Sequence, residues 1–445
     1  MDKQELEKLI KEKRYLFLKE KLEKTNEVDI AEMLEPLDIN TTLLIFRMLP
    51  KDLAVDVFAE LSVKKQKDFV SMAINKELKE IIDELFFDDM IDLIEEMPAN
   101  IVKKILLHTR KEQRDLINQF LRYPPDSAGS IMTIEYVDLK KSMTVKDALN
   151  HIREIGLKKE TVYTCYVTDK NRKLEGIISL RKLVISDESD VIEDIMDQEV
   201  IYVYTHDDQE IVAGVFKRYG FLALPVVDKE DRLTGIITVD DIMGVIDQEA
   251  TEDFQKMAAM APSEEKYLDA DIFTLAKHRI PWLVFLMLSA TFTEGIIRKF
   301  EGFLQTVVVL TAFIPMLMDA GGNSGSQSST LIIRGLALGE IDLRDAGKVM
   351  WKEFRISIVV GLVLAAVNFT RIYFFSSVGL SVALTVSMTL VVVVVMSKVI
   401  GGILPIFAKK VNLDPALMAG PLITTIVDAL SLMVYFSVAA WLLNI

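Results

Sequence analysis

The chain has 445 residues, of which 51% are hydrophobic and 26% are charged, and its formal net charge is −15. So many apolar residues argue against a purely soluble protein, and so many charged residues argue against a purely membrane-embedded one. Residues 281–445 hold 11 of the 51 basic and 9 of the 66 acidic side chains, so the acidic excess belongs to residues 1–280. Such an acidic surface disfavours anionic partners, and we expect no nucleic-acid binding. The single cysteine, Cys165, excludes an intrachain disulfide and a thiolate zinc cluster.

Residues 1–125 form the first predicted domain, which is acidic and all-α. Apolar residues recur three and four positions apart, which is the period of an amphipathic helix, and strand patterns are nearly absent. Three similar blocks begin at Ile30, Val55 and Met90, and each carries an acidic stripe. Short helices of this kind, interrupted by prolines, predict a superhelical N-terminal domain.

Residues 126–246 contain an internal duplication. Cys165-Tyr-Val-Thr-Asp-Lys matches Leu224-Pro-Val-Val-Asp-Lys, and Leu174-Glu-Gly-Ile-Ile-Ser matches Leu233-Thr-Gly-Ile-Ile-Thr, both at an offset of 59 residues. An Ile-Met pair precedes each copy. At these residues the segment resembles a tandem pair of CBS domains, at 126–190 and 191–246. The resemblance implies an α+β fold that can bind an adenine nucleotide such as ATP.

Residues 247–275 are predicted to be a connecting helix, acidic at its start and rich in methionine later. Two interpretations stay open. The helix is either a plain linker with a solvated end, or a lever between the soluble domains and the membrane domain.

Residues 276–445 are predicted to be an α-helical membrane domain with five transmembrane helices. Runs of about 20 apolar residues mark these spans, which we place at 281–297, 304–334, 356–376, 379–408 and 415–444. With the N-terminus in the cytosol, nine Lys and Arg residues flank the spans inside and three outside. The positive-inside rule therefore predicts a cytoplasmic N-terminus and an extracytoplasmic C-terminus.

Polar residues inside two of these spans predict an ion pathway. Hydrocarbon does not tolerate an unpaired carboxylate, which costs at least about 2.5–3.5 kcal/mol at the centre of a span. In the last span, steps of three and four residues place Gly420, Thr424, Asp428, Ser431 and Tyr435 on one helical face, which we expect to line a pore. A glycine break in the second span is expected to turn backbone carbonyls toward water. The expected pore and ion-binding residues are Asp319, Gly321, Gly322, Asn323 and Gln327 in the second span and Gly420, Thr424, Thr425 and Asp428 in the last.

A buried ion pair between Lys398 and either Asp319 or Asp428 is the structural alternative. The glycines also have a structural interpretation, since small residues allow neighbouring helices to pack closely.

The ligand chemistry favours a hard divalent cation. Histidine and cysteine are absent from the predicted spans, so the available ligands are oxygen atoms. Mg²⁺ gives up its water reluctantly, which predicts a site that holds the hydrated ion. A divalent ion entering a negative interior gains about 4.6 kcal/mol per 100 mV, and no phosphate-binding GxxxxGK[ST] loop occurs. We expect neither an ATP-driven pump nor an enzyme.

The whole pattern resembles the MgtE family of bacterial magnesium channels. The resemblance rests on Tyr123-Pro-Pro-Asp-Ser-Ala-Gly before the CBS pair, on the motif from Pro315 to Ser328, and on Asp414-Pro-Ala followed by Pro421-Leu-Ile-Thr-Thr-Ile-Val-Asp. It implies a homodimer in the bacterial inner membrane, with the pore at the dimer interface and hydrated Mg²⁺ held at Asp428. It also implies closure by cytosolic Mg²⁺ bound to acidic residues, for which the candidates are Asp88, Asp92, Asp247, Glu249 and Glu252.

Three residues depart from the family pattern. Ser326 stands where a second asparagine is expected, Gly420 where another polar side chain would narrow the cytosolic mouth, and Gly244 where an acid would join the sensor. Two other functions stay open: a carrier for Mn²⁺ or Co²⁺, and a membrane-anchored adenylate sensor that transports nothing.

Overall fold

The structure is a computed structural model that describes residues 3–95, 97–263, 267–268, 270–376 and 378–443. It divides into two compact units, Met1–Ile246 and Asp247–Ile445.

The first unit begins with ten short helices. They are Lys3–Lys11 (α1), Tyr15–Leu22 (α2), Glu27–Leu34 (α3), Ile39–Phe46 (α4), Lys51–Ala59 (α5), Val63–Met72 (α6), Asn75–Ile82 (α7), Phe87–Glu95 (α8), Ala99–His108 (α9) and Lys111–Phe120 (α10). Asn26, Asp38 and Ser62 accept backbone N–H bonds at the starts of α3, α4 and α6, which satisfies donors that have no partner inside the helix. Alternate helices pack together, α3 on α5, α5 on α7, and α7 on α9. This stacking agrees with the superhelical arrangement that the sequence predicts.

Two three-stranded sheets follow. The elements are Val137–Leu139 (β1), Val145–Ile155 (α11), Thr164–Thr168 (β2), Leu174–Ser179 (β3), Leu180–Ile185 (α12), Ile192–Ile195 (α13), Val203–Tyr204 (β4), Gln209–Tyr219 (α14), Ala223–Val227 (β5) and Leu233–Thr238 (β6). The strand orders are β1-β2-β3 and β4-β5-β6, with the first pair of each sheet parallel and the second antiparallel.

The register repeats the sequence duplication. Cys165 lies opposite Ile178 in the first sheet, and Leu224 lies opposite Ile237 in the second, so both partners shift by the same 59 positions. Each antiparallel pair also has a register shift at the equivalent place. The duplication is therefore structural as well as sequential.

The two Ile-Met pairs explain how the copies hold together. Met132, which precedes the first copy, lies against Gly235 of β6, while Met196, which precedes the second, lies against Gly176 of β3. A Cβ at either glycine would come within 3 Å of the methionine sulfur, so only glycine fits. Each copy thus packs a segment of chain that belongs in sequence to the other.

The second unit contains the long helices. Val239–Met257 (α15) continues across the boundary between the units, and then come Ile272–Lys299 (α16), Glu301–Thr306 (α17), Ile314–Ala337 (α18), Ala346–Phe375 (α19), Leu380–Lys410 (α20) and Gly420–Leu443 (α21). Helix α18 packs against α20 and α21, α19 packs on α20, and α16 packs on α21.

Four helical segments among the described residues are long and apolar enough to cross a membrane: Ile272–Lys299, Leu343–Phe375, Leu380–Lys410 and Pro415–Leu443. Five spans were expected. The expected span at 304–334 is interrupted, because α17 ends at Thr306 and a 3₁₀ segment, Val308–Phe313, precedes α18. Helix α18 carries the polar motif from Asp319 to Ser329, which lowers its mean hydropathy.

The prediction that the glycines interrupt the helix of the second span is wrong. Helix α18 runs without interruption through Gly321, Gly322 and Gly325. A Cβ on Gly401 of α20 would lie 2.3 Å from the carbonyl oxygen of Gly325, and one on Gly321 would lie 2.8 Å from Ser431 Oγ. The glycines let α18, α20 and α21 approach closely, which is the packing alternative.

Candidate functional site: a carboxylate in an apolar helix and an acidic cluster

Asp428 lies in the third turn of α21 and is half-buried. It faces Gly322 of α18, where an added Cβ would lie 3.8 Å from Asp428 Oδ1 and 3.0 Å from Thr424 Cγ2. None of the ion pairs in the described part of the chain includes Asp428. The charged group that acts most strongly on Asp428 is another acid, Asp319, which repels its negative charge. A carboxylate in an apolar helix, without a cationic partner and beside a second acid, favours a cation or a proton.

The polar residues of α18 form a stripe that we call the α18 stripe: Asp319, Asn323 and Gln327, four residues apart and exposed. Asn323 Nδ2 donates to Asp319 Oδ1 at 3.1 Å, and Lys398 Nζ donates to Gln327 Oε1 at 3.3 Å. The structural alternative of an ion pair is thereby excluded for Lys398, which has no carboxylate within 4.0 Å among the residues described.

The second turn of α21 supplies hydroxyl groups one turn before Asp428. Thr424 Oγ1 and Thr425 Oγ1 both donate to the carbonyl of Pro421, at 2.9 and 2.8 Å. Their hydroxyl hydrogens are thus used inside the helix, and their lone pairs stay available as acceptors for the hydrogens of a hydrated ion. Both side chains are partly exposed.

The prediction that Ser431 and Tyr435 line a pore is wrong. Ser431 is 1% exposed and Tyr435 is fully buried, and Tyr435 Oη donates to the carbonyl of Leu310 at 2.9 Å. The tyrosine therefore joins α21 to the 3₁₀ segment before α18 by a hydrogen bond. Helical period alone could not show this, because residues on one face of a helix can meet a neighbouring helix along part of its length only.

Helix α15 ends against the segment before α21. Lys256 forms ion pairs with Glu252 and with Asp414, the latter at 2.6 Å. Partial burial opposes the charge on Lys256, but its hydrogen bonds to Asp414 and Glu252 outweigh that cost and raise its pKa. The carbonyl of Met257 lies 2.8 Å from the position of a Cβ on Gly420, whose φ is +30°. A side chain at position 420 would displace the end of α15.

Acidic residues also crowd together within the first unit, where we define the acidic cluster as Asp88, Asp89, Glu135, Glu160 and Asp241. Asp88 and Asp89 lie on α8, Glu135 precedes β1, Glu160 follows α11, and Asp241 lies in the first turn of α15. Asp88 Oδ1 is buried and has no hydrogen-bond partner among the described atoms.

The pKa values of this cluster show its electrostatic strain. Burial, followed by repulsion from Asp241 and Asp89, raises the pKa of Asp88 to about 9. Burial and then Asp241 raise the pKa of Asp89 to about 7 and that of Glu160 to about 7. The charged neighbours that act most strongly on Asp88 are all acids: Asp241, Asp89, Glu160 and Glu135. Such a site gains stability from any bound cation.

The sequence identified one member of this cluster, Asp88. Asp92 lies one turn later on α8 and is exposed. Asp247, Glu249 and Glu252 lie farther along α15, in the second unit, where Glu252 pairs with Lys256.

The sequence analysis did not identify the other members of the acidic cluster, which are Asp89, Glu135, Glu160 and Asp241. The Asp-Asp pairs that start α8 and α15 were the available signal. Among the described residues, no three His, Cys, Asp or Glu side chains converge as a preformed metal site.

A cleft of about 890 Å³ lies in the CBS pair. Aromatic side chains (Tyr163, Tyr219 and Phe221) and polar ones (Ser179, Arg181 and Asp197) line it, together with aliphatic residues of both copies. Rings that can stack on a base, with a guanidinium nearby for phosphate, are features of a nucleotide site.

Comparison with known proteins agrees with this division of the chain. The family profile described as "Divalent cation transporter" matches residues 314–438, the "MgtE intracellular N domain" matches 25–126, and the CBS domain matches 128–187 and 192–248. These matches define the class: a divalent cation transporter with an MgtE-type N-terminal domain and a pair of CBS domains.

Relatives identify the family. The chain is 36% identical to the magnesium transporter MgtE of Thermus thermophilus over 96% of its own length and 95% of the relative's. It is 32% identical to the Bacillus subtilis protein of the same name, over 92% of each chain. The chain belongs to the MgtE family and is a membrane protein.

Two solved structures resemble just over half of this chain. One is the soluble part of a magnesium transporter, at a TM-score of 0.53 and 31% identity, covering 56% of this chain and 98% of that one. The other is the cytosolic domain of the Mg²⁺ channel MgtE in complex with ATP, at a TM-score of 0.52 and 34% identity, covering 54% and 98%.

Proposed function

We propose that this protein is a magnesium channel that admits hydrated Mg²⁺ down the membrane potential. The observation that carries the proposal is Asp428: a half-buried carboxylate in an apolar helix, next to Thr424 and Gly322, with no cationic partner among the described residues. A carboxylate with hydroxyl acceptors suits an ion that keeps its water. Relatives named as magnesium transporters match the chain over nearly its whole length.

The proposed topology has five spans, with α18 as the fifth beside the four apolar ones. Helix α18 packs between α20 and α21, which are both long enough to cross the bilayer, so it has the position of a membrane helix. The basic flanks favour a cytoplasmic N-terminus and an extracytoplasmic C-terminus in a bacterial inner membrane.

The protein acts as a homodimer in this proposal. The α18 stripe is exposed in one protomer, although polar groups do not face lipid. A second copy across the stripe would enclose a water-filled path with one Asp428 from each protomer.

Cytosolic Mg²⁺ closes the pore by binding acidic side chains of the soluble domains. The acidic cluster supports this, because neutralising Asp88 and its neighbours stabilises the arrangement that brings them together. A ligand that prefers one arrangement shifts the population toward it. Asp92, Asp247, Glu249 and Glu252 remain predicted ligands. Helix α15, joined to the pore segment through Lys256 and Asp414, is the element that would transmit closure.

ATP is the proposed ligand of the CBS cleft. The aromatic and basic lining of this cleft and the ATP complex of a related cytosolic domain support this.

Mn²⁺ or Co²⁺ transport is the second candidate function, since the matching profile describes a divalent cation transporter without naming the ion.

Growth tests the proposal. A host that lacks its own Mg²⁺ uptake is complemented with wild type, Asp428→Ala, or Glu340→Gln, an exposed acid beyond α18. We expect rescue by wild type and Glu340→Gln but not by Asp428→Ala at equal membrane abundance. Rescue by all three would refute the assignment of Asp428. Absence of rescue by wild type, with Mn²⁺ or Co²⁺ accumulation instead, would favour the second candidate.

A further inference from the structure

Three consecutive residues of α18 each hydrogen-bond to a different neighbour. Gln327 accepts from Lys398 on α20. Ser328 Oγ donates to Glu353 Oε2 on α19, and Ser329 Oγ donates to the carbonyl of Met418, both at 2.5 Å. Gln327 is the exposed member, at the cytosolic end of the α18 stripe.

Lys398 is the group that this arrangement leaves unexplained. It is 5% exposed, and its recorded acceptor among the described residues is the neutral amide of Gln327. Glu353, also buried at 6% exposed, bonds to Ser328 and forms no ion pair with Lys398 within 4.0 Å. An ammonium buried without a directly paired carboxylate is costly, so packing alone does not account for it.

The chemistry of the contact fixes the orientation of the Gln327 amide. An ammonium has donors only, so the atom it meets must be the amide oxygen. The oxygen is therefore held against α20, which is the buried side. The –NH₂ group, which has donors only, is then the part of the amide left for the exposed face.

We propose that Lys398 is a positioning residue for ion selectivity, which holds the Gln327 oxygen away from the conduction path so that the path meets N–H donors there. The inference rests on the proposed function and extends it. A hydrated Mg²⁺ turns water hydrogens outward, so it gains nothing from N–H donors at this level of the path. From a carbonyl it would gain only a contact through its water, of the kind that Thr424 and Thr425 already offer. A carbonyl free to turn would offer K⁺ a ligand that replaces part of its water. Lys398 thus disfavours monovalent cations without touching an ion.

The test is the K⁺ to Mg²⁺ permeability ratio of the full-length protein in proteoliposomes. We expect Lys398→Met to raise the ratio at least about threefold, because carbonyl oxygens favour K⁺. Lys398→Arg, which keeps the donor, should restore the wild-type ratio. Lys398→Leu provides a second neutral variant that has no donor and carries the same expectation, and gel filtration checks that each variant is folded.

A double mutant separates positioning from direct charge. In a Gln327→Leu background, Lys398→Met should leave the ratio unchanged, because no oxygen remains to be released. An equal increase in both backgrounds, or no increase in either neutral variant, would overturn the inference while Mg²⁺ flux through wild type still supports the channel. Absence of Mg²⁺ flux through wild type would overturn both.

Discussion

Lys256, in the last turn of α15, donates to Asp414 Oδ2 at 2.6 Å, and Asp414 Oδ1 accepts from the backbone N–H of Ala416 at the turn before α21. The pair is about 21% and 31% exposed, so water screens it only in part. One ion pair therefore joins α15 to the segment that leads into the helix carrying Asp428. The lever role of α15 remains a prediction, which the next experiment tests.

Breaking this pair should make the channel harder to close. Lys256→Met is expected to raise the cytosolic Mg²⁺ concentration for half-closure about two- to fivefold, since a partly exposed ion pair contributes on the order of 0.5–1 kcal/mol. Patch recordings over a range of Mg²⁺ concentrations measure it. Lys348→Met, which removes a surface pair with Asp345, is the matched control and should leave half-closure unchanged. An unchanged value for Lys256→Met would show that the contact has no part in gating.

The acidic cluster predicts that the soluble domains lose stability as the pH rises. Asp88 has a pKa of about 9 when folded, against 3.8 as its ordinary value. Between these values the folded state binds a proton that the unfolded state has released, so its stabilising contribution is present at low pH and is lost toward pH 9. Without Mg²⁺, the melting temperature of the soluble segment 1–260 should fall from pH 6 to pH 8.

Asp88→Asn should flatten this pH dependence, and millimolar Mg²⁺ should flatten it in wild type. Asp29→Asn, on the exposed first turn of α3, is the control and should behave as wild type. A melting temperature that rises with pH in the absence of Mg²⁺ would contradict the electrostatic description of the cluster.

The crossing of α18 and α20 should tolerate no side chain at Gly401. A Cβ there would lie 2.3 Å from the carbonyl oxygen of Gly325, a backbone atom that cannot rotate away. We expect Gly401→Ala to cost about 1–3 kcal/mol of stability through overpacking, seen as a lower melting temperature in detergent. Gly347→Ala is the control, because a Cβ there meets nothing within 4 Å. Equal melting temperatures for both variants would mean that the helices are not this close.

The CBS cleft predicts that Arg181 contributes to ATP binding. Arg181→Ala should raise the dissociation constant of ATP about tenfold, as expected for loss of a charge-assisted phosphate contact. Arg153→Ala on α11, whose guanidinium bonds to Asn150, is the control and should keep wild-type affinity. Calorimetry measures both. Unaltered ATP affinity in Arg181→Ala would place the phosphates elsewhere.

Local repetition made much of the fold predictable from the sequence. The 59-residue offset predicted two equivalent copies, and the strand registers of the two sheets differ by the same offset, because equivalent residues occupy equivalent positions in a duplicated fold. What the sequence could not show is that Met132 and Met196 cross between the copies, since only the three-dimensional contact decides which strand a linker meets.

The site was predictable only where chemistry excludes alternatives. Asp428 stood out because an acid inside an apolar helix has few tolerable environments. Ser431 and Tyr435 share its face but are buried, because packing against α18 and its preceding segment covers that part of the face. The acids around Asp88 come from four separated segments, so no spacing rule could assemble them, and Gln327 gave no sign that Lys398 holds its oxygen.

Mg²⁺ influx into proteoliposomes tests the central claim most directly, under an inside-negative K⁺ diffusion potential and without a pH gradient. Wild type should carry Mg²⁺ inward, and Asp428→Asn should reduce the flux at least about tenfold, because the amide removes the charge that offsets the cost of bringing the ion into the membrane. Equal flux through Asp428→Asn, or a wild type that needs a proton gradient, would contradict the account.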